Sequence, residues 1–150
     1  MVEFVMFLRT KAHRNPADIL KSFIRAASTG STNATLSDSE ETTLRSVFAF
    51  VRKLYVRDAE FRASRLAVNQ IHFYTMITTI IGEDLLVNYP LDELGKKLKK
   101  FAAILEGRTG APSSLRSDLK LYRELSEKQT THTGRRQSRQ TIFKKVIEAL

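Results

Sequence analysis

The chain has 150 residues, with 25 Lys and Arg against 16 Asp and Glu, a net charge of +9 and an isoelectric point near 10.0. Its hydrophobic fraction of 42% is enough for a core, and a chain this long buries roughly 70% of its unfolded surface, which excludes disorder as a whole. It has no cysteine, which excludes disulfides, thiolate chemistry and Cys-based zinc sites, and no apolar run approaches the ~20 residues of a membrane span.

The periodicity is helical nearly throughout. Phe4, Val5, Phe7 and Leu8 open the chain before any polar lead. Two readings fit: a piece of a longer protein, or an N-terminal strand or helix that docks directly. Glu3, and the lack of a basic lead-in and a small-residue cleavage site, argue against a signal peptide. Asn15-Pro16 supplies a cap followed by proline at the first helical position, and Ile19, Leu20, Phe23, Ile24 and Ala27 recur at helical spacing behind it. Residues 28–36 read as a Ser/Thr/Gly/Asn loop. Ser37-Asp38-Ser39-Glu40 is a capping box, and the helix it opens carries Leu44, Val47, Phe48, Val51, Leu54 and Tyr55 on one face.

Asp58 marks a break and a new start. Phe61, Leu66, Val68, Ile71, Phe73, Met76, Ile77, Ile80 and Ile81 follow. With apolar residues on more than one side, this stretch predicts a buried helix stopped by Gly82. Thr75, Thr78 and Thr79 keep a strand as the weaker option. Pro90 starts the next helix, with Asp92 and Glu93 in its first turn. Its buried stripe is Leu91, Leu94, Leu98, Phe101, Ala102 and Leu105, and Gly107 ends it. Ser113 or Ser114 caps a helix with Leu115, Leu119, Tyr122 and Leu125. A polar linker over 126–134 precedes a terminal helix over 135–150, whose Ile142, Phe143, Val146, Ile147 and Leu150 form one stripe. The expected fold is all-α: a single domain over 1–150, an irregular bundle of six or seven helices.

The charge excess favours nucleic acid or another polyanion as partner; the plain alternative is a basic surface that only confers solubility. From Gly107 onward there are ten Lys or Arg against four acids, so that quarter of the chain holds most of the excess. Arg135, Arg136, Arg139, Lys144 and Lys145 are therefore the leading backbone-binding candidates, arginine being suited to bidentate phosphate contacts. Lys96, Lys97, Lys99 and Lys100 form a second candidate set on the wet face of their helix, where lysines can meet phosphates without reading sequence. Arg52, Lys53, Arg57, Arg62 and Arg65, interspersed with Asp58 and Glu60, read mainly as ion-paired helix surface that can extend a basic groove. Gly82, Gly95, Gly107, Gly110 and Gly134 read as helix ends or loop points, not as a phosphate loop. Three histidines without clustered carboxylates indicate no metal site. No cofactor is expected, and the lack of cysteine fits a reducing cytoplasm.

Arg65-Leu-Ala-Val-Asn-Gln-Ile-His72 resembles the active-site spacing of the HEPN ribonucleases, which are also helical. The resemblance implies a metal-independent RNA cleavage in which His72 transfers protons and Arg65 stabilises phosphate charge. Seven residues are close to two helical turns, which places both on one helical face. The alternative is a satisfied histidine at a core edge. Leu66 departs from the polar residue that usually follows the arginine.

Three further segments match another family in order. They are Glu3-Phe-Val-Met-Phe-Leu-Arg9, then Leu44 to Tyr55 with Arg65 to Phe73, and last Thr130 to Leu150, a small polar stretch followed by an Arg-led helix. Together they resemble the all-helical lobe of the GmrSD-type defence proteins, modification-dependent restriction nucleases in which a ParB-like domain precedes such a lobe. The family's Asp-Gly-Gln-Gln-Arg-like motif and any His-Asn-His motif are absent here. The resemblance therefore implies a non-catalytic lobe that binds DNA, in preference to RNA, or docks a catalytic domain. A helical protein-interaction scaffold is the remaining alternative.

Overall fold

Short polar side chains open several of the helices. In the computed structural model, which describes residues 2–30, 35–127 and 132–150, ten α-helices follow in chain order: α1 (Val2–Thr10), α2 (Pro16–Ser28), α3 (Asp38–Arg57), α4 (Ala59–Ala63), α5 (Arg65–Val68), α6 (Gln70–Gly82), α7 (Leu85–Asn88), α8 (Leu91–Leu105), α9 (Arg116–Glu127) and α10 (Thr133–Ala149). Asn15 Oδ1 accepts from the Ala17 amide at the start of α2. At α3, Ser37 Oγ accepts from the Glu40 amide at 3.3 Å while Glu40 Oε2 accepts from the Ser37 amide at 2.8 Å, which completes the expected capping box. Asp58 and Asn69 do the same work for α4 and α6.

The buried centre is α6, which packs against α1, α3, α5, α7 and α10. Met76, Ile77, Ile80 and Ile81 are fully enclosed there. Thr75, Thr78 and Thr79 are buried beside them, and their hydroxyls donate to the carbonyls of Ile71, Tyr74 and Thr75 one turn back. That back-bonding satisfies three hydroxyls inside an apolar core and explains why this β-branched stretch is helix and not strand. On the other side α8, α9 and α10 meet through Phe101, Tyr122 and Phe143. Phe101 lies edge-on to Phe143 at 4.8 Å and to Tyr122 at 5.5 Å between ring centroids, the geometry that aromatic quadrupoles favour.

The described residues hold no strand, as expected, but more helices than six or seven. The surplus is three short helices, α4, α5 and α7. The 58–82 region is split into α4, α5 and α6 because Ser64 and Asn69 adopt extended backbone. The terminal helix starts at Thr133, two residues before the expected 135, and α9 continues to Glu127; the rest of the 126–134 linker lies largely outside the described residues, as do positions 31–34 of the loop before α3. The opening segment is a helix with Val5 and Phe7 buried. Gly95 lies inside α8 and is not a helix end, whereas Gly134 is the second residue of α10. Leu91, expected on a buried stripe, is exposed, as are Tyr55, Leu20 and Ile24 from the apolar sets of α3 and α2.

Candidate nucleic-acid interface

The terminal helix divides its cations between the core and the surface. Its apolar stripe is docked as expected, with Ile142, Phe143, Val146 and Ile147 buried. The same docking turns Arg136 and Arg139 inward. Arg139 is 1% exposed; its Nε donates to Thr75 Oγ1 at 3.3 Å and its Nη1 to the Leu125 carbonyl at 2.9 Å. The Arg136 guanidinium lies over the Tyr74 ring, 4.4 Å from its centroid, a cation–π contact, and Nη1 is 3.4 Å from Glu3 Oε2. Neither can reach a phosphate without opening the core. Lys144 pairs with Glu83 at 2.7 Å and Lys145 with Asp118 at 2.7 Å. Arg135 is half-buried at the helix entrance. The cation cluster of the terminal helix is therefore mainly a fastening element.

His72 is equally committed. Arg65 belongs to α5 and His72 to α6, with Asn69 between them in extended backbone, so the expected shared helical face does not form. His72 is 7% exposed. Its Nδ1 meets the Tyr122 hydroxyl at 3.0 Å, and the two rings stack. Burial, followed by the nearby Arg139 charge, lowers its pKa to about 4. Burial pushes the Tyr122 hydroxyl up, so that hydroxyl keeps its proton. This pair is the satisfied core histidine of the alternative reading.

A different set of cations is brought together by α3 and α8. Gly95 sits in the middle of α8 where a Cβ would stand 3.0 Å from Leu54 Cδ2. The glycine leaves room for the Leu54 side chain of α3 against the face of α8. Around this contact lies an open groove of about 280 Å³ whose lining includes Lys53 and Arg57 from α3 and Lys96 and Lys99 from α8. Asp58 and Asp92 are its acidic members. Lys99 is 3.2 Å from Asp58, whose pKa is lowered first by the Phe61 amide it caps and then by Lys99, against the opposing effect of burial. Lys53, Arg57 and Lys96 have no carboxylate at ion-pair distance among the described residues, and Lys100 is exposed just beyond. Lys97 instead turns inward, donating to the Ile147 carbonyl at 3.1 Å and lying over the Tyr89 ring. The ion pairing expected within residues 52–65 goes elsewhere: Asp58 serves Lys99, and Glu60 serves Arg108 at 2.5 Å.

The chain matches no family model, no curated protein and no solved structure. The groove is therefore read from its own chemistry. Among the described residues no cluster of three or more His, Asp or Glu is placed to hold a metal ion, and no helix is long and apolar enough to cross a membrane. Of the sequence candidates, Lys96, Lys99 and Lys100 lie at or beside the groove, whereas Arg136 and Arg139 do not reach the surface. Lys53 and Arg57 were legible as basic residues but not as groove residues. The missed signal was Gly95, flanked by Leu94 and Leu98 within one amphipathic turn.

Proposed function

We propose that this chain is a non-catalytic, basic helical domain that binds the nucleic-acid backbone along the α3–α8 groove. The observation that carries the reading is the groove that Lys53 and Arg57 of α3 line together with Lys96 and Lys99 of α8. Cations from two rigid helices, three of them outside any ion pair among the described residues, are positioned to displace counterions from a polyanion. The groove floor holds Leu54 and Leu91 and no base-reading amides, so binding is expected to track the backbone and not the sequence. The likeness of the three ordered segments to the helical lobe of GmrSD-type proteins makes DNA the favoured nucleic acid and a defence or restriction system the favoured setting.

The test is salt-dependent binding to duplex DNA, single-stranded DNA and RNA. The intact chain should bind DNA at low salt with affinity falling as salt rises. Lys53→Ala, Arg57→Ala and Lys96→Ala should each flatten the log–log salt slope by about 0.9 on duplex DNA. Absence of binding at low salt, or a slope unchanged in the triple variant, would reject the reading.

A further inference from the structure

The basic groove between α3 and α8 does not end at its cations. Phe50, Lys53 and Leu91 line it, and the same three residues line a wider trough of about 630 Å³ between α3 and the α6–α7 corner. The two therefore adjoin, and the lining changes character at Lys53. On one side stand Arg57, Lys96 and Lys99. On the other stand Ile81, Leu86 and Val87.

The trough is apolar and close to neutral. Lys53 and Asp84 are its charged members among the described residues, and Asp84 Oδ1 lies 3.7 Å from Lys11 Nζ. Thr42 and Thr43 donate their hydroxyl protons to the Asp38 and Ser39 carbonyls, which leaves both hydroxyl oxygens able to accept. Val87 is 85% exposed and Leu91, which belongs to both linings, is 47% exposed. Apolar surface thus stands open beside the cations. The volume is roughly four times the ~150 Å³ cavity that accepts a benzene-sized group, so a purine or pyrimidine has room in it.

A duplex can use the cations of such a surface but not the trough, because its bases are paired and stacked inside the helix. An unpaired strand offers phosphates and free base faces in every nucleotide. It is held where a positively charged track runs beside surface that packs on those faces, and apolar side chains serve for an unstacked base as aromatic ones do. Resting on the nucleic-acid reading of the α3–α8 groove, we infer that its ligand is an unpaired strand, with phosphates along Lys53, Arg57 and Lys96 and a base in the adjoining trough against Val87 and Leu91. The division follows charge: cations outside any ion pair among the described residues take the phosphates, and the apolar trough takes the uncharged base. Every base has such a face, so the contact tolerates any sequence, in keeping with a groove floor that holds no base-reading amides.

Fluorescence anisotropy of the full chain at one low salt concentration separates base from backbone. The probes are a labelled thymidine strand of about twelve nucleotides, a strand of equal length built from abasic spacers, and the thymidine strand paired to its complement. The thymidine strand should bind about tenfold or more tighter than the abasic strand, the scale of one packed base. The double variant Val87→Ser, Leu91→Ser should remove that preference while leaving the abasic strand, the duplex and the helical melt unchanged, since both positions are exposed. Lys53→Ala should weaken all three probes. Equal affinity for the thymidine and abasic strands, or a preference that survives in the double variant, would overturn this inference, and the backbone reading would still stand if the cation variants flatten the salt slope. Failure of all three probes to bind at low salt would overturn both.

Discussion

His13 Nε2 lies 2.7 Å from Gln140 Oε1, joining residues 127 apart in the chain. Because the amide oxygen accepts, Nε2 carries the proton and Nδ1 is left to accept from the Tyr74 hydroxyl at 3.3 Å. The neutral imidazole is thus the form that this site satisfies. Burial lowers the His13 pKa to about 4, with Arg136 and Arg139 adding repulsion and the bond to Gln140 opposing it. The bond fastens the α1–α2 connection to α10.

His13 and His72 together predict a pH window for stability. Both have folded-state pKa values near 4 against 6.5 when unfolded, so their contribution is complete above about pH 6.5 and is lost as pH falls toward 4. The slope is up to about 1.4 kcal/mol per pH unit for each histidine. Urea unfolding at pH 7, 5.5 and 4.5 should show this decline, and it should shrink in His72→Phe. Imidazole proton shifts should show both rings neutral at pH 5.5; midpoints near 6.5 would contradict the buried assignment.

A second acid transition belongs to Glu40. Its carboxylate accepts from Arg9 Nε at 2.6 Å and from the Ser37 amide at 2.8 Å, and these bonds, Arg9 first, hold its pKa at about 2 instead of 4.5. A depressed carboxylate pKa stabilises the fold above 4.5 and ceases to do so as pH falls to 2. Glu40→Gln should reduce the acid dependence in that window. Ser37→Ala should cost about 1 kcal/mol at neutral pH, read as a lower urea midpoint.

Arg139 tests whether the terminal arginines are structural. Arg139→Ala leaves the Leu125 carbonyl without its donor and opens a cavity, at a cost of about 3 kcal/mol, or a fall in melting temperature of about 2–4 °C per kcal/mol at this size. Lys100→Ala, at an exposed position, should stay within about 0.5 kcal/mol. Equal, negligible effects from both would show that Arg139 is not bound into the core.

Gly82 tests the junction of α1, α6 and α10. A Cβ there would stand 2.5 Å from Gln140 Nε2 and 3.2 Å from Phe7 Cζ. Gln140 is tethered to His13 and cannot simply swing aside, so Gly82→Ala should destabilise by about 1–3 kcal/mol through overpacking. Gly107→Ala should also be unfavourable, but through its φ of +71° with open space around it. A melting temperature unchanged in Gly82→Ala would mean that Gln140 yields.

Helix content, the capping box at Ser37 and Glu40, the docked stripe of α10 and the extent of α8 were all readable from local pattern, because caps and 3.6-residue periodicity act over a few neighbours. The short helices α4 and α5 were not, because Ser64 and Asn69 interrupt an apolar run whose hydrophobicity continues across the breaks. The candidate interface was half legible. Every cation in it was visible, but which ones faced outward was not, since a basic residue reads alike on a wet face and against a carbonyl. The sequence by itself determined an all-helical, strongly basic chain with amphipathic segments. Only tertiary packing decided that Arg136 and Arg139 serve the core while Lys53, Arg57, Lys96 and Lys99 share a groove. The reason is that burial of the α10 stripe rotates its arginines inward, and packing of the Leu54 side chain of α3 against Gly95 of α8 brings cations of both helices to one groove.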